Sequence, residues 1–210
     1  MIVPLMARDH AKCMFSALLS RLAVPDVARL QLCDLWNEPH RHYHTAGHAG
    51  VLWHRHLAHG GDPNDVVIAH AIAYHDAIYE VGAADNEARS ADLWRIHAET
   101  LPRSLRDQVE AAIMATARHA TDHVDERVQW MVDLDLSSLG EPWPLFEAST
   151  LALEREAPGV PQARLRAGQR AFLSNLAVLP VLFRSRCYGD MLSDTYEATA
   201  RENLARVMAG

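Results

Sequence analysis

The segment VVIAHAIAYHDAIYE, residues 66–80, is apolar on nearly every side. A helix of that composition has no polar face to turn to water, so it must run through the middle of a bundle with other elements packed around it. Within it stand His75 and Asp76. A carboxylate beside an imidazole in such surroundings is costly unless something satisfies both, and a metal ion is one such partner.

The rest of the chain supplies the packing this segment needs. Apolar residues recur three and four positions apart through most of its length, Gly and Pro punctuate at short intervals, and no sustained alternation of β-branched residues appears. The expected fold is an all-α helical bundle. Helices are expected over 9–22, 26–36, 46–59, 63–80, 85–98, 103–118, 124–138, 143–156, 161–178 and 190–208. Asp26, Asp62 and Asp85 read as helix starts, and Gly60-Gly61 as a helix stop. No internal repeat or long linker divides the chain, and the EPWP stretch at 141–144 reads as a turn. One domain over 1–210 is expected, with N-terminal helices to about 36, a metal-binding core at about 40–140 and C-terminal helices at about 141–210.

Composition narrows the partners. The net charge is -7 and Lys12 is the sole lysine, so no basic stripe can track a phosphate backbone, and duplex nucleic acid is excluded as an expected partner. Cys13, Cys33 and Cys187 are odd in number and widely spaced, which suits reduced thiols and a cytoplasmic location. The opening MIVPLM is too short for a signal-peptide core, and no apolar run reaches a membrane span, so no membrane partner is expected.

The 13 histidines are an unusual excess, and several fall in tight clusters. In HRHYHTAGHAG, His44 and His48 are four residues apart. His75-Asp76 forms a second group, and Asp133 with Asp135 in VDLDLSSLG a third. Imidazole and carboxylate together suit first-row divalent metals, and separate helices can each bring a ligand into a bundle.

The order His, then His-Asp, then a distant Asp resembles the HD superfamily of metal-dependent phosphohydrolases. RHYHTAGH, YHDAIYE followed by DNEARSA, DLDLSSLG, and finally REAP, GQRAFL and ARENL resemble one subfamily of HD phosphohydrolases, from about residue 30 to the C-terminus. YHTAGHA is also similar to the Tyr-His-Asn-x-x-His-Ala motif of cyclic-nucleotide phosphodiesterases, in which the second histidine binds metal and the first donates a proton to the leaving group. The resemblance implies His48, His75, Asp76 and Asp135 as ligands, Asp135 being preferred to Asp133 because Asp-Leu-Ser follows it. It implies His44 as the proton donor. Thr45 replaces the motif's Asn and the glutamine-lined purine pocket is not identifiable, so cyclic nucleotides are not implied. HD proteins with two metals add histidines between the second and third motifs; His119 and His123 lie there, and His119 is the better match. Asp76 would then bridge the ions.

The expected activity is hydrolysis of a small phosphate ester or nucleotide by a metal-activated water, with one or two ions of manganese, iron, magnesium, cobalt, nickel or zinc. Asp76 takes part at the metal, and Arg41, three residues before His44, is a plausible holder of phosphate. His44 reads as an acid or as a group that orients a ligand. Glu87 reads as a general acid or base, an orienting residue, or a first-turn carboxylate favoured by the helix dipole. The alternatives are a di-iron HD oxygenase and a non-catalytic, metal-stabilised nucleotide-binding module. His54, His56 and His59 read as a solvated helix face, and the five tryptophans as core or groove-wall residues. Substrate identity and oligomeric state are open.

Overall fold

A computed structural model describes residues 8–119, 125–188 and 192–209, and among them every regular element is helical. The order is α1 (Arg8–Leu19), α2 (Asp26–Trp36), α3 (Ala46–Ala58), α4 (Val66–Tyr74), α5 (Asn86–His97), α6 (Arg103–Thr116) and α7 (Glu126–Leu136). A short 3-10 turn, Ser137–Gly140, continues α7, and α8 (Trp143–Glu156), α9 (Gln162–Ala177) and α10 (Leu192–Ala209) complete the chain. This is the expected all-α class. His123 and the N-terminal hexapeptide lie outside the described residues, and no described helix is long and apolar enough to cross a membrane.

Helix α4 is the axis. Every residue from Val67 to Tyr74 is buried, and α3, α5, α6 and α7 pack around it. Trp36, Trp53, Trp94 and Trp130 fill the spaces between these helices, as expected, while Trp143 is half-buried. One apolar cluster runs from Phe15 on α1 to Leu204 on α10. Helices α1 and α3 meet at Gly50, where a Cβ would stand 2.0 Å from the carbonyl oxygen of Ala11; only a residue without a side chain lets the backbones approach so closely.

Both ends of α4 differ from expectation. Its N-cap is Asp65, not Asp62: Asp65 Oδ1 accepts from the N–H groups of Val67 and Ile68 at 3.0 and 3.2 Å, while Oδ2 takes Arg127 and the Tyr188 hydroxyl. The helix was expected to reach residue 80 and stops at Tyr74. Side chains from elsewhere take over the backbone groups that a continuing helix would have paired. Arg41 donates to the carbonyls of Asp76 and Ala77, Ser90 accepts the N–H of Ile78, and Asn86 exchanges two bonds with the backbone of Glu80. His75 and Asp76 therefore sit in a turn instead of on a helical face.

His56 and His59 are buried, correcting the expectation of a solvated face. The Trp130 indole donates to His56 Nδ1 at 3.0 Å, and His56 Nε2 donates to the carbonyl of Asp62. Apolar burial of α3 on both sides, not the helix dipole, sets their surroundings.

Candidate metal centre

Four side chains from three places in the fold converge. His48 comes from the first turn of α3, His75 and Asp76 from the turn that ends α4, and Asp135 from the last turn of α7. Each offers a ligand atom, and these atoms all lie within 4.8 Å of one another. His75 Nε2 is 3.1 Å from Asp76 Oδ2 and 3.6 Å from Asp135 Oδ1, and His48 Nε2 is 3.5 Å from the same Asp135 oxygen. His75 Nδ1 donates to the carbonyl of Ile72, which turns the lone pair of Nε2 towards the carboxylates.

Whether a metal ion fits can be judged from the atoms themselves. His48 Nε2 and His75 Nε2 are buried and have no hydrogen-bond partner. A buried polar atom left in that condition costs about 1–3 kcal/mol. Two such nitrogens converging on two carboxylate oxygens form a donor set that a divalent first-row cation satisfies. This buried group can hold a metal ion.

The charge state of the carboxylates agrees with that fit. Burial pulls the His48 imidazole below its ordinary value. It also pulls on His75, but the Asp76 and Asp135 carboxylates beside it prevail and raise it well above. Burial would raise both aspartates, yet the imidazoles of His75 and His44 hold Asp76 below the usual carboxylate range. The His119 hydrogen bond and the neighbouring His48 and His75 imidazoles do the same for Asp135. Both carboxylates stay ionised and ready for a cation. Asp133 points elsewhere, accepting from Gln129 and from the N–H groups of Arg184 and Ser185.

His119 joins the group from another direction: its Nε2 lies 2.9 Å from Asp135 Oδ2. Its backbone has φ +47°, in the left-handed region that a β-carbon disfavours. Strain of this kind persists where the surroundings demand it, and here it stands at the residue that reaches the centre.

His44 lies beside the centre, with Nε2 3.8 Å from Asp76 Oδ2. Its orientation is set by Glu156, which stands in the REAP segment but to which the sequence reading gives no role. Glu156 Oε2 accepts from His44 Nδ1 at 2.7 Å, while Oε1 accepts from the N–H groups of His42, Tyr43 and His44 at 2.7, 2.7 and 2.9 Å. Burial would raise the Glu156 carboxyl, but these bonds prevail and hold it at about 2. The Tyr79 ring covers His44, with centroids 4.0 Å apart. One general signal for Glu156 did exist: a carboxylate in the last turn of a helix faces the negative end of the helix dipole and requires a compensating partner.

A cavity of about 250 Å³ opens over the centre, and His44, Asp76, Glu87, His119 and Asp135 line its deep end. Glu87, in the first turn of α5, has its carboxyl raised by burial and by the neighbouring Asp76 charge. Arg41, expected to hold phosphate, is not among the residues that line this cavity. Its side chain is fully buried and paired with Glu38, and it donates to the carbonyls of His44, Asp76 and Ala77. The guanidinium props up the turn that carries His75 and Asp76. No protein-family model matches the chain, and comparisons with curated proteins and with solved structures give no significant match.

Proposed function

We propose that this chain is a metal-dependent phosphohydrolase of the HD type, acting on a small phosphate ester or nucleotide. The observation that carries the proposal is the convergence of His48, His75, Asp76 and Asp135 beside a cavity that Asp76, Asp135 and His44 line. A divalent ion held by these four side chains supplies Lewis acidity towards a phosphoryl group and acidifies water.

The remaining chemistry belongs to the protein. Hydrolysis needs a water to attack phosphorus, the bond to the leaving oxygen to break, and a proton to reach that oxygen. With Nδ1–H fixed on Glu156, His44 turns Nε2 to the cavity as the proton donor. Glu87 is a second wall group able to hold a proton above the usual carboxylate range. Cys13, Cys33 and Cys187 form no disulfide, which supports a cytoplasmic setting.

One contact favours a second reading. The approach of His119 to Asp135 offers a fifth ligand, which suits two ions, and a pair of irons would suit an oxygenase. Metal analysis after anaerobic purification separates the readings, since two irons with an electron paramagnetic signal support the oxygenase. For the hydrolase, protein reloaded in turn with manganese, magnesium, iron, cobalt, nickel or zinc is assayed on a panel of phosphate esters. Cleavage of none of them refutes it. The variant His44→Ala should lower turnover by about 10²–10⁴-fold with metal content unchanged.

A further inference from the structure

Building on the phosphohydrolase reading, we infer that the cavity takes monophosphate esters of a flat, weakly polar alcohol and turns away substrates with two or more linked phosphoryl groups. The two ends of the cavity are unlike, and each limits the substrate separately.

The deep end limits charge. Among the described residues no arginine or lysine lines the cavity, while Asp76, Glu87 and Asp135 all do. Sites that bind linked phosphates surround them with guanidinium, ammonium and backbone N–H donors as well as metal. Here positive charge comes from the cation and from imidazole N–H groups, and Asp76 and Asp135 already offset much of it. One phosphoryl group can be neutralised at the centre. A second would meet the Glu87 carboxyl or an apolar wall, and Arg41 is committed to backbone carbonyls underneath.

The outer end limits shape and polarity. Helices α8 and α9 face it with Phe146, Leu153, Phe172 and Leu173. The polar groups between these residues, Ser149, Thr150 and Gln169, are uncharged, and Thr150 donates to the carbonyl of Phe146 and accepts from Gln169 Nε2 at 3.0 Å. This wall therefore carries no charge. Phe172 is 40% exposed, and its ring meets the edge of His119 with centroids 5.4 Å apart. A large aromatic left open beside a charged centre is a surface for a ring to cover. Size agrees: a cavity of roughly 150 Å³ holds one benzene ring, so 250 Å³ leaves room for a ring and one phosphoryl group.

The test uses the full chain loaded with the metal it is isolated with. Titration calorimetry compares phenylphosphonate with methylphosphonate, neither of which can be hydrolysed, and turnover is compared on phenyl phosphate, glycerol phosphate and pyrophosphate. Phenylphosphonate should bind about tenfold more tightly than methylphosphonate, as one buried ring gives. Phe172→Ala, an exposed and foldable change, should erase most of that difference and leave methylphosphonate unaffected. The kcat/KM for pyrophosphate should lie at least about 100-fold below that for phenyl phosphate. Equal binding of the two phosphonates, equal weakening of both by Phe172→Ala, or pyrophosphate cleaved as well as phenyl phosphate overturns the inference with the hydrolase intact. Cleavage of none of the three esters refutes the hydrolase reading itself, while the phosphonate pair still judges the pocket.

Discussion

Glu156 shows how one side chain can be unfavourable locally and necessary globally. At the end of α8 it opposes the helix dipole, and its burial adds a desolvation cost. Three backbone N–H groups and the His44 imidazole offset both. The carboxyl is held at about 2 against an ordinary value of 4.5, so the folded protein favours its ionised form. Because the folded-state value is the lower one, this stabilisation is complete above pH 4.5 and is lost as pH falls towards 2. Denaturant unfolding at several pH values should show a loss on the order of 2–3 kcal/mol over that window. Glu156→Gln should reduce the loss over that window by about this amount, Asp76 and Asp135 keeping their own share because they too are held below their ordinary values. A profile as steep as the wild type's would mean that Glu156 does not carry the effect. The four candidate ligands are legible in the sequence because imidazole and carboxylate inside an apolar segment need a polar or ionic partner that the apolar core does not supply. The role of Glu156 is not, since the REAP segment is noticed without one and a glutamate next to Arg155 near a helix end looks like any solvated pair until the 42–44 turn is seen folded over it.

The helices follow from their apolar period, but where α4 ends does not. Apolar residues continue past it to Tyr79, interrupted only by His75 and Asp76, and no glycine or proline stops the helix there. The stop is tertiary, imposed by Arg41, Ser90 and Asn86, which are separated from it in sequence and bind its freed backbone groups. The same split appears at its start, where Asp62 and Asp65 are equally good caps on paper and only Asp65 also has Arg127 and Tyr188 to hold it. Ending the helix at Tyr74 swings His75 and Asp76 into one turn, which lets adjacent residues aim at the same point. The packing of α1 on α3 is set as sharply by Gly50. Gly50→Ala would drive a methyl group into the Ala11 carbonyl, backbone against backbone, where no side chain can rotate away. It should destabilise the protein by roughly 2–3 kcal/mol, in the upper range for overpacking. Urea unfolding measures this, and a loss under about 0.5 kcal/mol would mean the helices part without cost.

On the scale of the whole molecule, the centre joins segments far apart in the chain: His48 at the start of α3, the turn after α4, and Asp135 at the end of α7. A cation bound there can hold its ligands together only in the folded chain, so its binding free energy adds to folding stability. At a free metal concentration of 100 times Kd, that contribution is about 2.7 kcal/mol. For a chain of this length it corresponds to a rise in Tm of roughly 5–10 °C. The shift should grow with metal concentration, reverse with a chelator, and vanish in Asp135→Asn, which keeps the size of the side chain but removes the charge that meets His48, His75 and His119. His119→Ala separates one ion from two. If His119 helps to hold a second cation, the variant keeps part of the shift and binds one equivalent fewer; if it only orients Asp135 through the 2.9 Å contact, stoichiometry is unchanged and the midpoint of the metal titration moves to higher concentration. A wild-type protein whose Tm ignores every divalent metal offered would leave the two buried imidazole nitrogens without the partner that their geometry requires.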